Sequence, residues 1–525
     1  MNKLPIWLLA VLSSLLLTIG WPPFNTGFLL FVGFVPLFFI HQKLSAHKNK
    51  HFLFWGWSYI IIFLFNLGTT WWVWHASQSG AIIMLFANSL VLSLPFLLFS
   101  FTNEKLPKLG YKSFVIFYLM IEFLHFNWSA SWPWLTLGNG LACFPSFIQW
   151  FEFTGEMGGT LLILVINIII FKALFYKKYI QLVQPLGYIV LAFISSYFIV
   201  KFNKTGNEKS LECVISQPQI DPYTEKFTNG ENYLDAEEQM NIAIEQAQPL
   251  LTQNTAILLL PETAVVGNNE INQLENNSTI NLLRPILESY KNLNIIAGAE
   301  TYEIYKSEKQ PSPTARPTEQ KNFWYDNYNT ALLIKNNSKI DWYHKSRLVP
   351  GVEKMPFPIL EKLSINLGGS SGSLGASPKA KNFTLNNGIK IAPLICYESV
   401  FGDYTTEFVK DGAQILAVIT NDGWWRETQG YKQHLLFGAI RCIETRRQMI
   451  RSANVGVSAK IDQFGNISQA TKYKDRVAFK CQVTPLQKQT VYVKYGNIIG
   501  KMSVFVGITI LLGAIIKQMT RKNNL

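Results

Sequence analysis

The segment Ile-Ala-Pro-Leu-Ile-Cys396-Tyr-Glu398 decides the fold of the C-terminal part of the chain, because an apolar run ends there in a cysteine and a carboxylate. Two other segments have the same form, Leu-Leu-Leu-Pro-Glu262-Thr-Ala and Trp-Tyr-His-Lys345-Ser-Arg-Leu-Val-Pro-Gly-Val-Glu353. Sites on open α/β sheets form where strands end. A cysteine nucleophile needs a base, and a cation or N–H groups for an oxyanion. Glu262, Lys345 and Cys396 supply that set.

Each of these three residues has a plainer interpretation when it is taken alone. Glu262 can be a surface carboxylate, Lys345 a solvated cation and Cys396 a small core residue. All three, however, follow a β-rich run. Their combination therefore indicates a catalytic cysteine site.

Short β-rich runs alternate with helical patterns around these segments, which predicts an α/β domain of roughly 280 residues. Two low-complexity stretches, residues 307–322 and 367–377, interrupt the alternation, and we interpret the second as a lid. The β-rich runs are residues 212–216, 256–260, 294–297, 330–334, 391–395, 415–420 and 455–461, and the helical patterns are residues 233–251, 278–291 and 433–448.

The first 200 residues consist mainly of apolar runs. The whole chain is 49% hydrophobic and 15% charged, against roughly 25% charged residues in soluble domains. A bilayer is crossed by a helix of about 17–25 apolar residues. We predict a membrane helical bundle (residues 1–202), a catalytic domain (203–489), and an eighth helix with a tail (490–525). The predicted spans are residues 5–21, 27–40, 53–74, 81–101, 113–127, 158–174, 185–200 and 498–516.

The lysines of this region predict the orientation of the bundle. The loops after spans one, three and five contain no Lys or Arg. By the positive-inside rule, the face that carries the lysines is cytoplasmic. The catalytic domain is therefore expected outside the cytoplasm, with both termini inside. The ten lysines are Lys3, Lys43, Lys48, Lys50, Lys105, Lys108, Lys112, Lys172, Lys177 and Lys178.

The sequence also argues against two classes of function. The net charge is +13, but no basic stripe interleaved with aromatic residues indicates a nucleic-acid partner. The five cysteines show no C-x-x-C spacing, and the seven histidines form no H-E-x-x-H pattern. We therefore expect neither a metal nor another cofactor.

Four further segments are specific enough to suggest a family. They are Asn421-Asp-Gly-Trp424-Trp, Leu-Val-Pro-x-x-Glu353, Arg451-Ser-Ala-Asn-Val-Gly-Val and, in the bundle, Trp-Pro-Trp134-Leu. With the three catalytic segments, they make the chain resemble the nitrilase, or carbon–nitrogen hydrolase, superfamily. Over nearly its full length the chain resembles the bacterial apolipoprotein N-acyltransferases. The resemblance implies an extracytoplasmic nitrilase-like αββα sandwich joined to about eight transmembrane helices.

Two positions depart from the pattern of that family. The family commonly has Phe-Gly before its second Glu, where this chain has Gly351-Val352. Some members carry a functional Trp near the start of the domain, where this chain has Phe227. The role of that aromatic position is therefore left open.

The resemblance implies a role for each matching catalytic position. Cys396 is expected to be the nucleophile, Glu262 the general base, and Lys345 the stabiliser of the tetrahedral oxyanion. The N–H of Tyr397 is expected to be a second oxyanion donor. Glu353 is expected to orient Lys345 or the incoming amine.

The implied roles of the remaining positions concern support and substrate binding. Glu398 is expected to support the site, and Asn421 and Trp424 to shape the pocket for the acyl chain or lipid. Trp134 belongs to a group of tryptophans near the predicted outer ends of spans three and five. That group forms either an interfacial aromatic belt or a lipid portal. Its members are Trp71, Trp72, Trp74, Trp128, Trp132 and Trp134.

The implied reaction is acyl transfer in two steps in a bacterial cytoplasmic (inner) membrane. The thiolate attacks a phospholipid ester, which leaves a lysophospholipid and an acyl thioester. The α-amine of the N-terminal S-diacylglyceryl-cysteine of an apolipoprotein then takes the acyl chain as an amide. The alternatives are a membrane-tethered nitrilase-type amidase, and a transporter or scaffold with a degenerate nitrilase domain. The intact Glu262, Lys345 and Cys396 argue against the degenerate domain.

Several other features are assigned no catalytic role. Residues 368–372 match the G-x-S-x-G pattern of serine hydrolases, but they lie in a low-complexity stretch and not in a strand–turn–helix. Glu122 lies inside span five, where a functional carboxylate and a hydrogen bond within the bundle are both open interpretations. Cys213, Cys442 and Cys481 are expected to pack in the core.

The orientation can be tested by cysteine labelling. Single cysteines placed at Lys48 and at Lys108 should react with a membrane-impermeant thiol reagent only after the membrane is breached, because both loops are expected in the cytoplasm. A cysteine at Ser307 should react in intact spheroplasts. The opposite labelling pattern would contradict the predicted orientation.

Overall fold

A computed structural model describes residues 1, 3–203, 209–227, 231–267, 269–336, 338–355 and 373–523. The chain divides into two compact units. One unit, which we call the helical unit, contains Met1–Trp74, Gln78–Asn203 and Tyr495–Leu525. The other, the α/β unit, contains His75–Ser77 and Lys204–Lys494. Each unit has its own core.

Among the residues that the structure describes, five helices are long and apolar enough to cross a membrane, namely Lys50–Thr70, Gln78–Lys105, Glu156–Phe175, Tyr179–Phe202 and Ile498–Thr520. Two shorter stretches, Ile6–Ile19 and Gly27–Lys43, are also apolar. The α-helices of this part of the chain are Ile6–Ile19, Leu30–Gly33, Val35–Lys43, Lys50–Thr70, Val73–Ala76, Gln78–Lys105, Lys112–Phe126, Phe151–Thr154, Glu156–Phe175, Val183–Phe202 and Ile498–Asn523.

The predicted spans one and five coincide with helices of 14 and 15 residues, and span two coincides with two consecutive helices of 4 and 9 residues. At 1.5 Å per residue, such helices are shorter than the roughly 30 Å of a bilayer's hydrocarbon core. Eight complete spans therefore remain a prediction.

The helix is interrupted at Phe34, between Leu30–Gly33 and Val35–Lys43, and the side chain of Asn167 bridges this interruption. Its side chain accepts from the Phe34 N–H at 2.8 Å and donates to the Leu30 carbonyl at 2.7 Å.

Large apolar side chains lie on the outer surface of the helical unit. The helix Val183–Phe202 exposes Leu186, Leu191 and Tyr197 by more than 60% each. A soluble protein rarely exposes an apolar surface of this extent. The helical unit therefore has the surface of a membrane protein.

The α/β unit is built from two mixed β-sheets. The first has the order β13-β1-β2-β3-β5-β4, with β6 paired to β5, and the second has the order β12-β11-β10-β9-β8-β7. The strands are β1 Leu211–Gln217, β2 Thr255–Leu259, β3 Asn294–Lys306, β4 Arg316–Pro317, β5 Phe323–Lys335, β6 Asp341–His344, β7 Phe383–Thr384, β8 Lys390–Ile395, β9 Ile415–Thr420, β10 Gln448–Ala453, β11 Ala459–Ile461, β12 Ile467–Ser468 and β13 Val477–Val483.

The two sheets pack face to face between helices. Ser452 on β10 donates its hydroxyl to the carbonyl of Ser216 on β1, at 2.6 Å. The helix Ala236–Ala247 covers the outer face of the first sheet, and Gly402–Lys410 and Gln429–Thr445 cover that of the second. This four-layer arrangement, together with the apolar helices, confirms the predicted fold class. The remaining helices of the unit are Ser278–Asn281, Arg284–Ser289 and Val491–Tyr495.

Four strands end one to three residues before a predicted site residue. In the first sheet, β2 ends three residues before Glu262 and β6 ends one residue before Lys345. In the second sheet, β8 and β9 are parallel neighbours that end just before Cys396 and Asn421. Because parallel strands present their carboxyl ends at one edge, the fold concentrates these side chains there.

Two predicted elements differ from the structure. The helical pattern 278–291 is two short helices, Ser278–Asn281 and Arg284–Ser289, because Pro285 lacks an N–H and begins a new helix. The predicted strand 455–461 is observed only as β11. Its buried neighbour β10 was not predicted, because Arg451 interrupts its apolar pattern.

Candidate active site

Cys396 follows β8 directly and opens the 3-10 turn Cys396–Val400. Its φ angle is +48°, a left-handed conformation that costs a non-glycine residue about 1–2 kcal/mol. Its side chain is buried, with 7% exposed. The thiol therefore lies on a sharp strand-to-helix turn that surrounding contacts must hold in place.

Three charged residues and one amide form a buried cluster beside this cysteine. The Lys345 ammonium lies 2.8 Å from Glu353 Oε1 and 3.5 Å from Glu262 Oε1. Asn329 Nδ2 donates to the same two oxygens, at 2.8 Å to Glu262 and 3.1 Å to Glu353. Only 1% of Lys345 is exposed. One cation therefore compensates two carboxylates in a largely buried cluster.

Burial and charge shift the pKa values of this cluster in directions that suit acid–base chemistry. Burial raises the pKa of Glu262, with Glu353 adding to the rise and Lys345 opposing it. Burial lowers the pKa of Lys345, but Glu353 and Glu262 outweigh that effect, so the net shift is upward. Burial and Glu262 raise the pKa of Cys396. These shifts favour the thiol form of Cys396 and the ammonium form of Lys345, and they increase the proton affinity of Glu262.

The loop that carries Glu353 is held by a tight turn. Gly351 has a φ of +80°, a conformation that glycine adopts without steric cost, and its N–H donates to the carbonyl of Lys354 at 2.8 Å. The Val349 N–H donates to Glu353 Oε2 at 2.9 Å. The departure from the family pattern at Gly351-Val352 is therefore compatible with a turn that aims Glu353 at Lys345.

Glu398 links the cysteine turn to the lysine segment. Its carboxylate accepts from Tyr343 Oη at 2.6 Å, from the Ser346 N–H at 2.7 Å and from the Ile395 N–H at 2.9 Å. Burial raises its pKa to about 7. Because Tyr343 and Ser346 flank Lys345 in sequence, Glu398 fixes two catalytic segments to each other.

The three predicted substrate-binding residues occupy different places. The Asn421 N–H donates to Glu262 Oε2 at 2.9 Å, so this residue belongs to the buried cluster. Trp424 stacks on Phe227 with a centroid distance of 5.9 Å and an interplanar angle of 20°. Trp134 belongs to the helical unit, where it is fully buried and lies 4.9 Å from Trp72 between ring centroids.

The predicted lid, residues 367–377, is only partly described, since residues 367–372 lie outside the described part of the chain. The described end approaches the cluster, because the Leu374 N–H donates to the Glu353 carbonyl at 2.9 Å.

Tyr397, whose N–H is the predicted second oxyanion donor, is 2% exposed and follows Cys396 in the turn. Within the described ranges, no group of three or more His, Cys, Asp or Glu side chains is arranged to hold a metal ion.

Sequence reasoning missed several polar residues around the site. Asn329 lies inside β5, and no motif marks it. Lys226 is buried and donates to the Thr263 carbonyl at 2.8 Å, and burial lowers its pKa to about 8. Asp422 and Arg451 lie inside two of the segments that resemble the family, although no role was predicted for either residue.

The buried cluster predicts a pH-dependent loss of stability in Lys345→Met. This change leaves Glu262 and Glu353 without a cation and should destabilise the protein by about 3–5 kcal/mol near pH 8. The pKa of Glu262, which burial already raises, should rise further in the folded state without the opposing Lys345, so that the folded chain binds more protons than the unfolded chain. Stability of the variant should therefore recover as the pH falls from 8 towards 5.5.

Thermal unfolding of the full chain in detergent at both pH values measures this effect. Lys381→Met is the control, because Lys381 pairs with Asp341 on the surface at 2.6 Å and is 47% exposed, where such pairs contribute about 0–1 kcal/mol. A loss of stability in Lys345→Met that is equally large at both pH values would contradict the assigned electrostatics.

Comparison with known proteins identifies the family of the chain. Residues 13–169 match the apolipoprotein N-acyltransferase N-terminal domain, and residues 215–485 match the carbon–nitrogen hydrolase domain. The apolipoprotein N-acyltransferase of Chlorobaculum tepidum is 27% identical, over 97% of each chain. That of Thermotoga maritima is 24% identical, over 95% of this chain and 92% of its own. Saccharomyces cerevisiae Nit3, of the nitrilase superfamily, has 14% identity and a TM-score of 0.37 over 53% of this chain and 91% of its own. The chain belongs to the carbon–nitrogen hydrolase family, in the branch that carries the apolipoprotein N-acyltransferase N-terminal domain.

Proposed function

We propose that this chain transfers an acyl group from a membrane phospholipid, through a thioester on Cys396, to the α-amino group of the N-terminal S-diacylglyceryl-cysteine of apolipoproteins. The observation that carries the proposal is the buried Lys345 between Glu262 and Glu353, beside a cysteine on a strained turn. The match of residues 13–169 and the names of the full-length relatives support lipoprotein N-acylation as the activity.

In the first step, Glu262 takes the thiol proton while Cys396 attacks the ester carbonyl of the phospholipid. The Lys345 ammonium and the Tyr397 N–H stabilise the oxyanion of the tetrahedral intermediate. The intermediate expels the lysophospholipid alkoxide, to which Glu262 returns the proton. Glu353 keeps Lys345 charged, so that Lys345 does not lose its proton to Glu262.

In the second step, the α-amine of the acceptor attacks the thioester. Glu262 takes a proton from the amine, the same two donors stabilise the oxyanion, and the thiolate of Cys396 leaves and is reprotonated. Conversion of a thioester to an amide is downhill, so this step requires no nucleotide. The raised proton affinity of Glu262 suits a base that must accept and return a proton in each step.

The membrane helices supply the setting that a phospholipid donor requires. Moving acyl chains from the bilayer into water costs on the order of 0.8 kcal/mol per CH₂. We therefore place the enzyme in the bacterial cytoplasmic membrane as a multi-pass protein, with its α/β unit on the extracytoplasmic side and both termini inside. Asn421, Trp424 and Trp134 are assigned to binding of the acyl chain or lipid.

The nucleophile assignment predicts that Cys396→Ser loses acyl-enzyme formation, because a hydroxyl of much higher pKa replaces the thiol. Cys442→Ser should keep it, since Cys442 is a buried packing residue on the helix Gln429–Thr445. The full-length proteins are incubated with phospholipid vesicles carrying a labelled acyl chain, and the labelled protein is then treated with neutral hydroxylamine, which cleaves thioesters.

A hydroxylamine-sensitive acyl-enzyme on Cys396→Ser would contradict the assignment.

The product of the reaction distinguishes the proposed transferase from an amidase. With a diacylglyceryl peptide as acceptor, the transferase should release an N-acylated peptide. Free fatty acid with an unmodified peptide would favour hydrolysis instead.

A further inference from the structure

A buried histidine lies behind the nucleophile and contacts its backbone. His434 Nε2, on the helix Gln429–Thr445, lies 3.0 Å from the carbonyl oxygen of Cys396. The Ser399 hydroxyl donates to the same oxygen at 2.8 Å. Arg451 Nη2, which can only donate, lies 3.1 Å from His434 Nδ1 and makes Nδ1 an acceptor, which leaves the hydrogen of the neutral ring on Nε2. Nε2 therefore donates to the carbonyl, and the Ser399 oxygen also lies 2.9 Å from it. Two donors therefore hold this one oxygen from the side of the helix.

This contact fixes the direction of the next N–H group. The peptide between Cys396 and Tyr397 is planar and trans, so its C=O and N–H bonds point in opposite directions. When His434 and Ser399 hold the carbonyl on one side, the Tyr397 N–H must point to the other side. That N–H is the donor assigned above to the oxyanion. Its aim therefore depends on what holds the carbonyl.

His434 is itself held by a charged pair. Its Nδ1 accepts from Arg451 Nη2 at 3.1 Å and lies 2.9 Å from Asp422 Oδ1, and Asp422 Oδ2 accepts from the same Arg451 nitrogen at 2.6 Å. The Thr420 hydroxyl also donates to Asp422 Oδ1, at 2.9 Å. Burial opposes ionisation of Asp422, but Arg451 and His434 outweigh it and hold the pKa of that carboxyl below its ordinary value. All these side chains are at most 1% exposed.

The surrounding backbone makes room for this arrangement. A Cβ on Gly456, whose φ is +138°, would lie 2.9 Å from Asp422 Oδ2. A buried ion pair seldom stabilises a fold more than apolar residues of similar volume do. The cluster of Arg451, Asp422 and His434 ends on the peptide of the nucleophile, which indicates a purpose other than packing.

We propose that His434, held by Asp422 and Arg451, is a positioning residue that grips the Cys396 carbonyl and thereby aims the Tyr397 N–H at the oxyanion. This inference rests on the proposed function in one respect, the role of the Tyr397 N–H. It adds a histidine that touches neither the reacting atoms nor the substrate.

The test compares two reactions of the same thiol in the full-length protein in detergent. Acylation by a soluble p-nitrophenyl ester passes through a tetrahedral oxyanion, whereas alkylation by iodoacetamide does not. His434→Ala should reduce the acylation rate by about 10- to 100-fold, somewhat less than the roughly 10²–10³ for removal of a whole oxyanion donor. Its alkylation rate should stay close to that of the unchanged protein.

His434→Gln should recover most of the acylation, because its amide N–H reaches the position of Nε2. Lys432→Ala, an exposed neighbour on the same helix, is the matched control and should change neither rate. If His434→Ala does not fold, Ser399→Ala removes the other donor and should reduce acylation severalfold with alkylation retained. Equal losses in both reactions, or an unchanged acylation rate in the folded variants, would overturn the inference.

This design separates the inference from the proposed function. If Cys396 is acylated by the soluble ester but never by vesicle phospholipid, the proposed donor is wrong. The difference between His434→Ala and the unchanged protein towards the ester would still stand. If vesicle phospholipid acylates both proteins equally well, the proposed donor stands and the role of His434 is wrong.

Discussion

The ammonium of Lys345 between the carboxylates of Glu262 and Glu353 is the interaction on which the rest of the site depends. Burying one cation with two anions is costly unless hydrogen bonds complete the cluster, and Asn329 and the Asn421 N–H do so. The two carboxylates keep the lysine charged, while burial raises the proton affinity of Glu262. A thiol of raised pKa thereby lies beside a carboxylate and an ammonium.

Both sheets contribute segments to the site. The first sheet contributes the segments of Glu262 and Lys345, and the second contributes those of Cys396 and Asn421. Hydrogen bonds between them, from Asn421 to Glu262 and from Tyr343 to Glu398, fix one sheet edge against the other. The same hydrogen bonds therefore fix both the geometry of the candidate site and the packing of the two sheets.

The sequence predicted the fold class and the family because the decisive residues each end an apolar strand, and because long apolar runs identify membrane helices. The roles of Glu262, Lys345 and Cys396 and the eight-span topology remain predictions. Polar side chains inside strands were not predicted to belong to the site. Asn329 interrupts no pattern that a motif could mark, and Arg451 made β10 look unlike a buried strand. Only three-dimensional contacts reveal that His434 meets the Cys396 carbonyl, since 38 residues separate the two in sequence.

The measurement that tests the central claim most directly is mass spectrometry of lipoprotein N-termini. Two bacterial strains are compared. In the first, this chain is the only apolipoprotein N-acyltransferase, and in the second it is replaced by Cys396→Ser at an equal protein level. The account predicts an N-acylated diacylglyceryl-cysteine in the first strain and a free α-amine in the second. N-acylated termini in both strains, or free amines in both, would contradict acyl transfer through Cys396.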